Sequence, residues 1–496
     1  MIVHDVLAAK IAQVAKRTFE PLRSLCSLWQ KGAVMLVVLA AMTVCADGVP
    51  ARRLFDETPE QKAERLSWWT HDRLGMFIHF GLYSLPARHE WIKERETISE
   101  EKYDRYFEMF NPDLFDAGEW ARTAKRAGMR YIVLTVKHHE GFCLWDTRYT
   151  DYKVTKTPFG RDIVREFTEA CRAEGLKVGF YYSLIDWHHP DFAIDDRHPR
   201  RPKTANYYGA FGDSDEDYPE LNRNRDMSRY RQYMKDQVTE LLTNYGKIDI
   251  VWFDFTYPGE HGKTAEDWDS EGLLRLTRKL QPQIIVNNRM GLYDTDDGWD
   301  FVTPEQFKVV EWPTVRGRRV AWETCQTFSG SWGYHRDEAT WRSTSELIGV
   351  LAHAVSKGGN LIMNVGPTGR GLFDPRAVAK LGEIAVWMKF NGRSVYGCTE
   401  APKGLKAPEN TLLTYNPATK RLYIHLLVYP GKALAVDFGD RIRYAQFLHD
   451  ASELLVEKTG LTNEQRLYKH GGERQWVIRL PACPPAVVNP VIEVCL

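Results

Sequence analysis

The sequence predicts an α/β fold, a TIM-like (β/α) barrel followed by a C-terminal antiparallel β-sandwich domain. Strand-like apolar runs alternate with amphipathic helical patterns from Trp68 onward, an order typical of a parallel sheet covered by helices. About seven βα units in roughly 320 residues suit a closed barrel better than an open sheet, with an eighth unit that is irregular or missing. After Tyr396 the pattern changes to short runs separated by turn signals, which indicates antiparallel strands.

Each predicted barrel strand is a short apolar run rich in β-branched or aromatic residues. These runs are residues 75–79, 130–137, 177–183, 248–255, 283–288, 320–324 and 360–365. Helical patterns fall between them, at residues 117–127, 162–174, 228–245, 271–280, 343–356 and 375–390. Residues 195–224 are polar, contain proline and lack periodicity, which predicts a long loop on the functional face of the barrel.

The C-terminal region contains short apolar runs and no cluster of residues suited to catalysis. The runs are residues 412–415, 421–428, 433–438, 453–456, 476–480 and 491–494. Asn416-Pro417, Pro430-Gly431 and Gly471-Gly472 supply turn signals between them. A small β-sandwich is the expected result.

The N-terminal segment has the pattern of a secretory signal peptide. Basic residues precede an uncharged run at residues 32–46, which ends in small residues and is followed by Asp47. A run of about 15 residues is short for a membrane-spanning helix, so cleavage near Ala46 is favoured over an anchor. Cys45 raises the alternative of a lipidated N-terminus, but Val44 before it fits that processing poorly.

These features together predict three segments: a signal peptide at residues 1–46, a barrel catalytic domain at residues 47–396 and a β-sandwich domain at residues 397–496. After cleavage, the protein is expected in a periplasmic, secreted or lysosome-like compartment, without stable membrane insertion. Six of the eight cysteines follow residue 46, and none forms a CxxC pair, so neither a zinc knuckle nor a dense disulfide framework is indicated.

The composition favours a neutral partner. Basic and acidic residues number 66 each, so there is no broad electrostatic attraction to nucleic acid or to an anionic membrane. The chain has 16 Trp and 23 Tyr, whose flat apolar faces and polar edges suit stacking on sugar rings as well as ordinary core packing.

Asp254 is the anomalous residue of the most apolar run, KIDIVWFDFTY at residues 247–257. A carboxylate between Phe253 and Phe255 loses hydration, so it must be paired, hydrogen-bonded or held there for chemistry. In a barrel, chemistry sits where the strands end, and five predicted strands end in polar groups. These are His79, then His138 and His139, then Tyr181 and Tyr182, then Asp254, then Asn288 and Arg289.

A carboxylate pair is the usual requirement for cleaving a glycosidic bond, and Asp254 supplies one member. The candidates for the second are Glu90, Glu305, Glu311 and Glu323. Glu305 has apolar and proline neighbours that would desolvate it, whereas Glu90 follows the first strand beside Trp91. These observations alone do not distinguish Glu90 from Glu305 as the second carboxyl group.

Several segments resemble the α-L-fucosidases of glycoside hydrolase family 29. From Trp68 to about Gly392 they occur in the family's order, and the C-terminal β-domain also fits. The segments are MFIHFGLYS, HEW, LTVKHHEGFCLWDT, GFYYSLIDW, VWFDF, VNNR, TPEQ, WETC, SWGYHRDE and SKGGNLIMNVGPTGRG. Asn288 in NNR stands where a family member can have aspartate, a departure that leaves the match of Arg289 intact.

The resemblance implies an exo-acting, retaining α-L-fucosidase that acts without a cofactor on a fucosylated oligosaccharide or glycoconjugate. Asp254 would be the nucleophile and Glu305 the general acid and base, with Glu311 and Glu323 as fallbacks for the second role. Arg289 near Asp254 would favour the ionised carboxylate. The implied sugar pocket consists of His79, Glu90, Trp91, His138, His139, Tyr181, Trp252 and Arg289.

Three alternatives remain open from the sequence. Another retaining exo-glycosidase would share the barrel, and a sugar-binding protein would bind fucose without hydrolysis. A metal-dependent hydrolase is suggested by His79, His138, His139, His188 and His189. Adjacent histidines on a strand are expected to face opposite sides, and no HxH pattern aims two at one ion, so the metal site is disfavoured.

Overall fold

The computed structural model describes residues 51–207, 209–459 and 475–496. The predicted signal peptide at residues 1–46 and the Gly471-Gly472 turn lie outside the described residues. Within them, every helix is too short or too polar to cross a bilayer. The six cysteines that follow residue 46 are all free thiols.

The barrel is an eight-stranded sheet in which every pair of neighbouring strands is parallel, which confirms the predicted fold class. In chain order its strands are β1 (Leu74–Ile78), β2 (Tyr131–Lys137), β3 (Lys177–Ser183), β4 (Ile250–Asp254), β5 (Ile285–Val286), β6 (Phe301–Val302), β7 (Ala321–Thr327) and β8 (Asn360–Val365). Around the sheet the order is β5-β4-β3-β2-β1-β8-β7-β6. Strand β6 is the irregular unit, and its two residues carry too short a pattern to be recognised in the sequence.

Asp300 closes the barrel where β5 and β6 meet. These strands share only the isolated bridge between Asn287 and Phe301. The backbone N–H of Asp300 donates to the carbonyl of Val286 at 2.7 Å, and the Asp300 carboxylate accepts the N–H of Val286 at 2.8 Å. A side chain therefore supplies the hydrogen bond that a longer strand would have supplied.

Two arginines neutralise the buried carboxylate of Asp300. Arg65 donates to it at 2.7 and 2.9 Å, and Arg278 donates at 2.8 and 2.9 Å. Burial opposes ionisation, but Arg278, Arg65 and Lys62 outweigh it and hold the pKa of Asp300 well below its usual range. The ion pair is thus part of the barrel closure.

Asp300→Asn is expected to lower the free energy of unfolding by about 3–5 kcal/mol, because two largely buried guanidinium groups lose their counter-charge. Since the folded-state pKa is depressed, this contribution is present above the unfolded pKa of about 3.9 and is lost as the pH falls through the folded value. The loss should therefore be constant from pH 5 to 8. Denaturant unfolding would measure this loss in the free energy of unfolding, with Glu64→Gln at an exposed position as control. Equally small losses in the two variants would contradict the role of Asp300 in closing the barrel.

Most of the helices begin with a polar N-cap residue, for example Thr58, Ser99, Asp116, Asp162 and Ser343. They are α1 (Pro59–Asp72), α2 (Ile92–Arg95), α3 (Glu100–Met109), α4 (Ala117–Arg126), α5 (Ile163–Ala173), α6 (Tyr218–Asn222), α7 (Met227–Asn244), α8 (Ala265–Trp268), α9 (Ser270–Leu280), α10 (Thr344–Ser356) and α11 (Pro375–Asn391). Leu66 and Trp69 of α1 join the inward-facing side chains of the strands in one apolar cluster. Helix α1 therefore closes the end of the barrel at which the strands begin.

The C-terminal strands form two antiparallel sheets. They are β9 (Thr399–Glu400), β10 (Thr411–Asn416), β11 (Arg421–Leu426), β12 (Ala433–Val436), β13 (Tyr444–Phe447), β14 (Val456–Lys458), β15 (Trp476–Arg479) and β16 (Val491–Cys495). One sheet has the order β9-β10-β11-β16-β13 and the other β12-β15-β14, with a shared apolar core between them. The predicted domain boundary at 396/397 falls in the segment between α11 and β9.

Two shorter features complete the fold. The predicted loop at residues 195–224 contains a small antiparallel pair, Asn206–Tyr207 with Ala210–Phe211, and helix α6. Residues 314–319 form a two-stranded hairpin that pairs Thr314–Val315 with Arg318–Arg319.

Candidate active site

A pocket with about 370 Å³ of empty space, part of it open to solvent, lies at the end of the barrel where the strands finish. It brings together all ten residues that the sequence analysis assigned to catalysis or sugar binding: His79, Glu90, Trp91, His138, His139, Tyr181, Trp252, Asp254, Arg289 and Glu305. The residues that sequence reasoning missed are Phe77, Phe255, Cys325 and Trp332.

One guanidinium links the two carboxyl groups of the pocket. Nη1 of Arg289 donates to Oδ1 of Asp254 at 3.1 Å, and Nη2 donates to Oε2 of Glu305 at 2.7 Å. Nε of Arg289 donates to Oγ1 of Thr303 at 2.9 Å, which orients the fork from behind. Because the guanidinium is planar and rigid, it sets the positions of the two carboxyl groups relative to each other.

Asp254 ends strand β4 and is only 6% exposed. Tyr181 donates its hydroxyl proton to Oδ2 of Asp254 at 2.8 Å. Burial raises the pKa of Asp254, Arg289 lowers it and the neighbouring Glu305 raises it, so the net pKa lies above the usual value. The expected ion pair with Arg289 is present, but its effect is smaller than that of lost hydration.

Glu305 lies three residues beyond β6, and its side chain is 41% exposed. Its apolar and proline neighbours in the sequence predicted that it would be desolvated, and this prediction is wrong. The segment after β6 bridges to Cys325 of β7 and leaves the Glu305 carboxyl at the solvent side of the pocket. Its contact with Arg289 nevertheless keeps it directed toward Asp254.

The fallback carboxyls Glu311 and Glu323 do not line the pocket. Glu311 is exposed beyond it. Glu323 is fully buried in the barrel core, where it accepts hydrogen bonds from the Tyr131 hydroxyl and, at 3.2 Å, from Nε1 of Trp252. Burial raises the pKa of Glu323 to about 7. Its contact holds the Trp252 indole from below.

His138 and His139 both line the pocket, with ring centroids 4.0 Å apart. The expectation that they face opposite sides is wrong, because β2 ends at Lys137 and strand alternation no longer applies beyond it. Burial lowers the pKa of His79 to about 3 and holds the pKa values of His138 and His139 well below their usual range. The three rings are therefore neutral hydrogen-bonding groups.

Glu90 is 1% exposed and belongs to the pocket wall. Its Oε2 accepts the backbone N–H groups of Trp332 at 3.1 Å and Gly333 at 2.8 Å. Burial raises the pKa of Glu90 to about 7, against the effect of these N–H groups. A carboxyl with such a pKa can donate to or accept from a ligand hydroxyl.

Aromatic side chains form the remaining wall. Trp91 lies 4.9 Å from His139 and 5.7 Å from Phe255, measured between ring centroids, and Trp332 lies 5.2 Å from His79. Tyr207 lies 6.0 Å from Trp91, so the predicted loop reaches the pocket rim.

Sequence signals existed for the four missed residues. Phe77 lies on β1, two residues before His79, and its side chain points into the barrel. Phe255 directly follows Asp254. Cys325 and Trp332 stand in the WETC and SWGYHRDE segments that had already been recognised. The histidines were also considered as metal ligands, but among the described residues no group of three or more His, Cys, Asp or Glu side chains is arranged to hold an ion.

The paired carboxyls decide the class of protein. Glycosidic bonds are cleaved by two such groups acting on one sugar, and barrels place them where the strands end. Neutral imidazoles and flat rings supply partners for sugar hydroxyls and for the faces of the ring. The fold and the pocket together define a glycoside hydrolase.

Comparisons with known proteins identify the family of glycoside hydrolases. The profile of the family described as Alpha-L-fucosidase matches residues 44–393, and the chain belongs to this family. The chain is 28% identical over 492 residues to the tissue α-L-fucosidase of Macaca fascicularis, covering 92% of this chain and 93% of that one. The structure of α-L-fucosidase isoenzyme 1 from Paenibacillus thiaminolyticus has a TM-score of 0.77 and 40% identity, covering 88% of this chain and 99% of that one.

A further structure bears on the chemistry. It is a family 29 α-L-fucosidase from Bacteroides thetaiotaomicron described as a trapped covalent intermediate in complex with 2-fluoro-fucosyl fluoride. Its TM-score is 0.71 and its identity is 26%, covering 90% of this chain and 98% of that one. A covalent intermediate is the signature of the retaining mechanism.

Proposed function

We propose that this chain is an exo-acting, retaining α-L-fucosidase that releases terminal α-L-fucose from fucosylated oligosaccharides or glycoconjugates through a covalent fucosyl-enzyme intermediate. The observation that carries the proposal is the bridge by which Arg289 holds Asp254 and Glu305 at one pocket. Retaining enzymes keep their two carboxyls about 5–5.5 Å apart, and attachment to one guanidinium supports such a separation.

In the first step Asp254 is the nucleophile. Its carboxylate attacks the anomeric carbon, the glycosidic C–O bond breaks, and its electron pair leaves on the oxygen that receives a proton from Glu305. Tyr181 and Arg289 bind the two Asp254 oxygens and orient the attack. The product is a β-linked fucosyl ester and a free aglycone.

In the second step Glu305 acts as a base. It removes a proton from water, the water oxygen attacks the anomeric carbon, and Asp254 departs as a carboxylate. Two inversions give net retention. The partial exposure of Glu305 suits this role, because the same group must meet an outgoing aglycone and an incoming water.

The other predicted pocket residues would bind the sugar. His79, His138, His139 and Glu90 offer hydrogen-bond partners for the ring hydroxyls, and Trp91 with Trp252 offers apolar faces for the ring and the C5 methyl group. Phe77 and Trp252 line the pocket and also belong to the apolar core of the barrel, so the pocket ends against the core, which supports action on a terminal sugar.

For the domain organisation and the location we propose what the sequence predicts. We assign a signal peptide to residues 1–46, the catalytic barrel to residues 47–396 and the β-sandwich to residues 397–496, with export after cleavage. The 28% identity to a plasma α-L-fucosidase of Homo sapiens over 403 residues supports an exported protein.

The direct test is hydrolysis of an aryl α-L-fucoside, with the released anomer followed by NMR. We expect α-L-fucose as the first product and unchanged activity after exhaustive EDTA treatment. First release of the β-anomer, activity lost with EDTA and restored by metal, or fucose binding without turnover would each overturn the proposal. A panel of fucosylated oligosaccharides would then define linkage preference.

A further inference from the structure

His79 lies at the end of a hydrogen-bond chain that begins at a backbone carbonyl. Nδ2 of Asn364 lies 2.6 Å from the carbonyl oxygen of Trp332, and Oδ1 of Asn364 lies 2.6 Å from Nδ1 of His79. A carbonyl oxygen can only accept, so the amide nitrogen must face Trp332 and the amide oxygen must face His79. Nδ1 of His79 therefore carries the proton.

His139 ends a second chain of the same kind. Oγ of Ser183 lies 2.6 Å from the carbonyl oxygen of Ile185 and 2.7 Å from Nδ1 of His139. The hydroxyl has one proton and must give it to the carbonyl, so it accepts from His139. Nδ1 of His139 is therefore protonated as well.

Both chains leave Nε2 as the free nitrogen of a neutral ring. In the part of the chain that the structure describes, Nε2 of neither ring is hydrogen-bonded to protein, and both rings line the pocket. We propose that Asn364 and Ser183 are positioning residues that lock His79 and His139 as hydrogen-bond acceptors, so that the pocket selects a sugar presenting two hydroxyl groups as donors. Neither residue lines the sugar pocket itself.

This inference rests on the proposed function and specifies how its pocket distinguishes substrates. An imidazole that could rotate or exchange tautomers would accept from or donate to a ligand with little preference. When a backbone carbonyl fixes the proton on Nδ1, Nε2 of the imidazole can only accept a hydrogen bond. A polar ligand atom that has no proton to donate is then left without a partner in a buried site, which lowers its affinity. Because the hydrogen bonds that fix the two tautomers already exist in the folded protein, no binding free energy is used to orient the rings.

Asn364→Asp tests the first lock through a pH profile. An aspartate at this position would favour the charged imidazolium of His79, whose Nε2 then donates instead of accepting. We expect kcat/KM on an aryl fucoside, relative to the unchanged protein, to fall by about tenfold or more between pH 8 and pH 5, mostly through KM. A loss that is equal at every pH would indicate a merely structural role and overturn the proposal.

The groups around His79 define the background of this profile. His138 and Tyr181 face its ring, with centroids 5.7 and 5.6 Å away, together with the non-titrating Phe77 and Trp332. Besides burial, the charge of Arg289 lowers the pKa of His79, whereas His89, whose own pKa burial lowers to about 3, is neutral over this pH range. All of them remain in the variant, so the ratio to the unchanged protein isolates the effect of position 364.

Asn360→Asp is the matched control. Asn360 lies on the same strand β8, is fully buried, and bonds to the Trp69 carbonyl and to Arg73 at the opposite end of the barrel. The same substitution there should leave the shape of the pH profile unchanged. A new acidic limb in this variant too would mean that the profile reports general destabilisation, and the proposal would fall.

A direct measurement covers the case in which Asn364→Asp does not fold. In protein labelled with ¹⁵N-histidine, and with assignments from His79→Gln and His139→Gln, Nδ1 of both rings should be protonated and Nε2 unprotonated from pH 6 to 8. Ser183→Ala should release the His139 tautomer and leave that of His79 unchanged. Protonated Nε2 in either ring would overturn the proposal, whereas correct tautomers in a protein without fucosidase activity would refute the proposed function alone.

Discussion

Asp254→Ala is expected to lower kcat/KM on an aryl α-L-fucoside by about 10³–10⁵-fold, or about 4–7 kcal/mol of transition-state stabilisation. The methyl group cannot form the fucosyl ester, and Tyr181 and Arg289 lose the carboxylate that they orient. Small azide should enter the vacated space and restore part of the turnover. Because azide then attacks the substrate directly, the product should be β-fucosyl azide.

Asp249→Asn provides a control next to the same strand. Asp249 directly precedes β4, accepts the N–H of Val178 at 3.0 Å and pairs with Lys247, at the end of the barrel away from the pocket. This variant should keep kcat/KM within about twofold of the unchanged protein, since it removes no group from the pocket. Substantial turnover by Asp254→Ala without azide would exclude Asp254 as the nucleophile.

Glu305→Ala is expected to reduce hydrolysis of a fucosylated oligosaccharide by about 10²–10⁴-fold, the usual contribution of a general acid–base group. A sugar leaving group needs the proton, whereas an acidic phenol departs without it, so an activated aryl fucoside should lose much less in the first step. The fucosyl ester of Asp254 should accumulate in this variant, and azide should attack that intermediate. The product should then be α-fucosyl azide, the anomer opposite to that from Asp254→Ala.

Glu311→Gln and Glu323→Gln separate the alternatives for the second carboxyl. Glu311 is exposed outside the pocket, so its change should have little effect on turnover. Glu323 lies in the core below Trp252, so its change should affect stability more than the anomer formed with azide. Formation of α-fucosyl azide by either variant, or its absence with Glu305→Ala, would move the assignment away from Glu305.

The sequence predicted the barrel well because its strands are buried on both faces and read as continuous apolar runs. The predicted runs at 177–183 and 360–365 coincide with β3 (Lys177–Ser183) and β8 (Asn360–Val365). Strand β6 was missed because Phe301–Val302 is too short to have a period. Its neighbour Asp300 completes the sheet through a side chain, which no local pattern shows.

The part of the pocket formed by strand ends was predicted for a related reason, whereas Trp91 and Trp252 were implied by the family resemblance. Parallel strands end on one side, so polar residues at five strand ends had to come close together. The errors concern what happens after a strand ends. Strand alternation was applied to His138 and His139 beyond β2, and local apolar neighbours were taken as burial for Glu305, which the path of its segment leaves 41% exposed.

The sequence by itself determined the barrel, because burial pattern and strand ends are local properties that a chain displays directly. Its resemblance to a family supplied ten of the fourteen residues that line the pocket. The tertiary structure alone decided how these residues work together. The bridge of Arg289 between two carboxyls, the closure by Asp300 and the proton positions on His79 and His139 join atoms from separate strands. Hydrogen bonds and charges act over a few ångströms in space, so their partners exist only once the chain has folded.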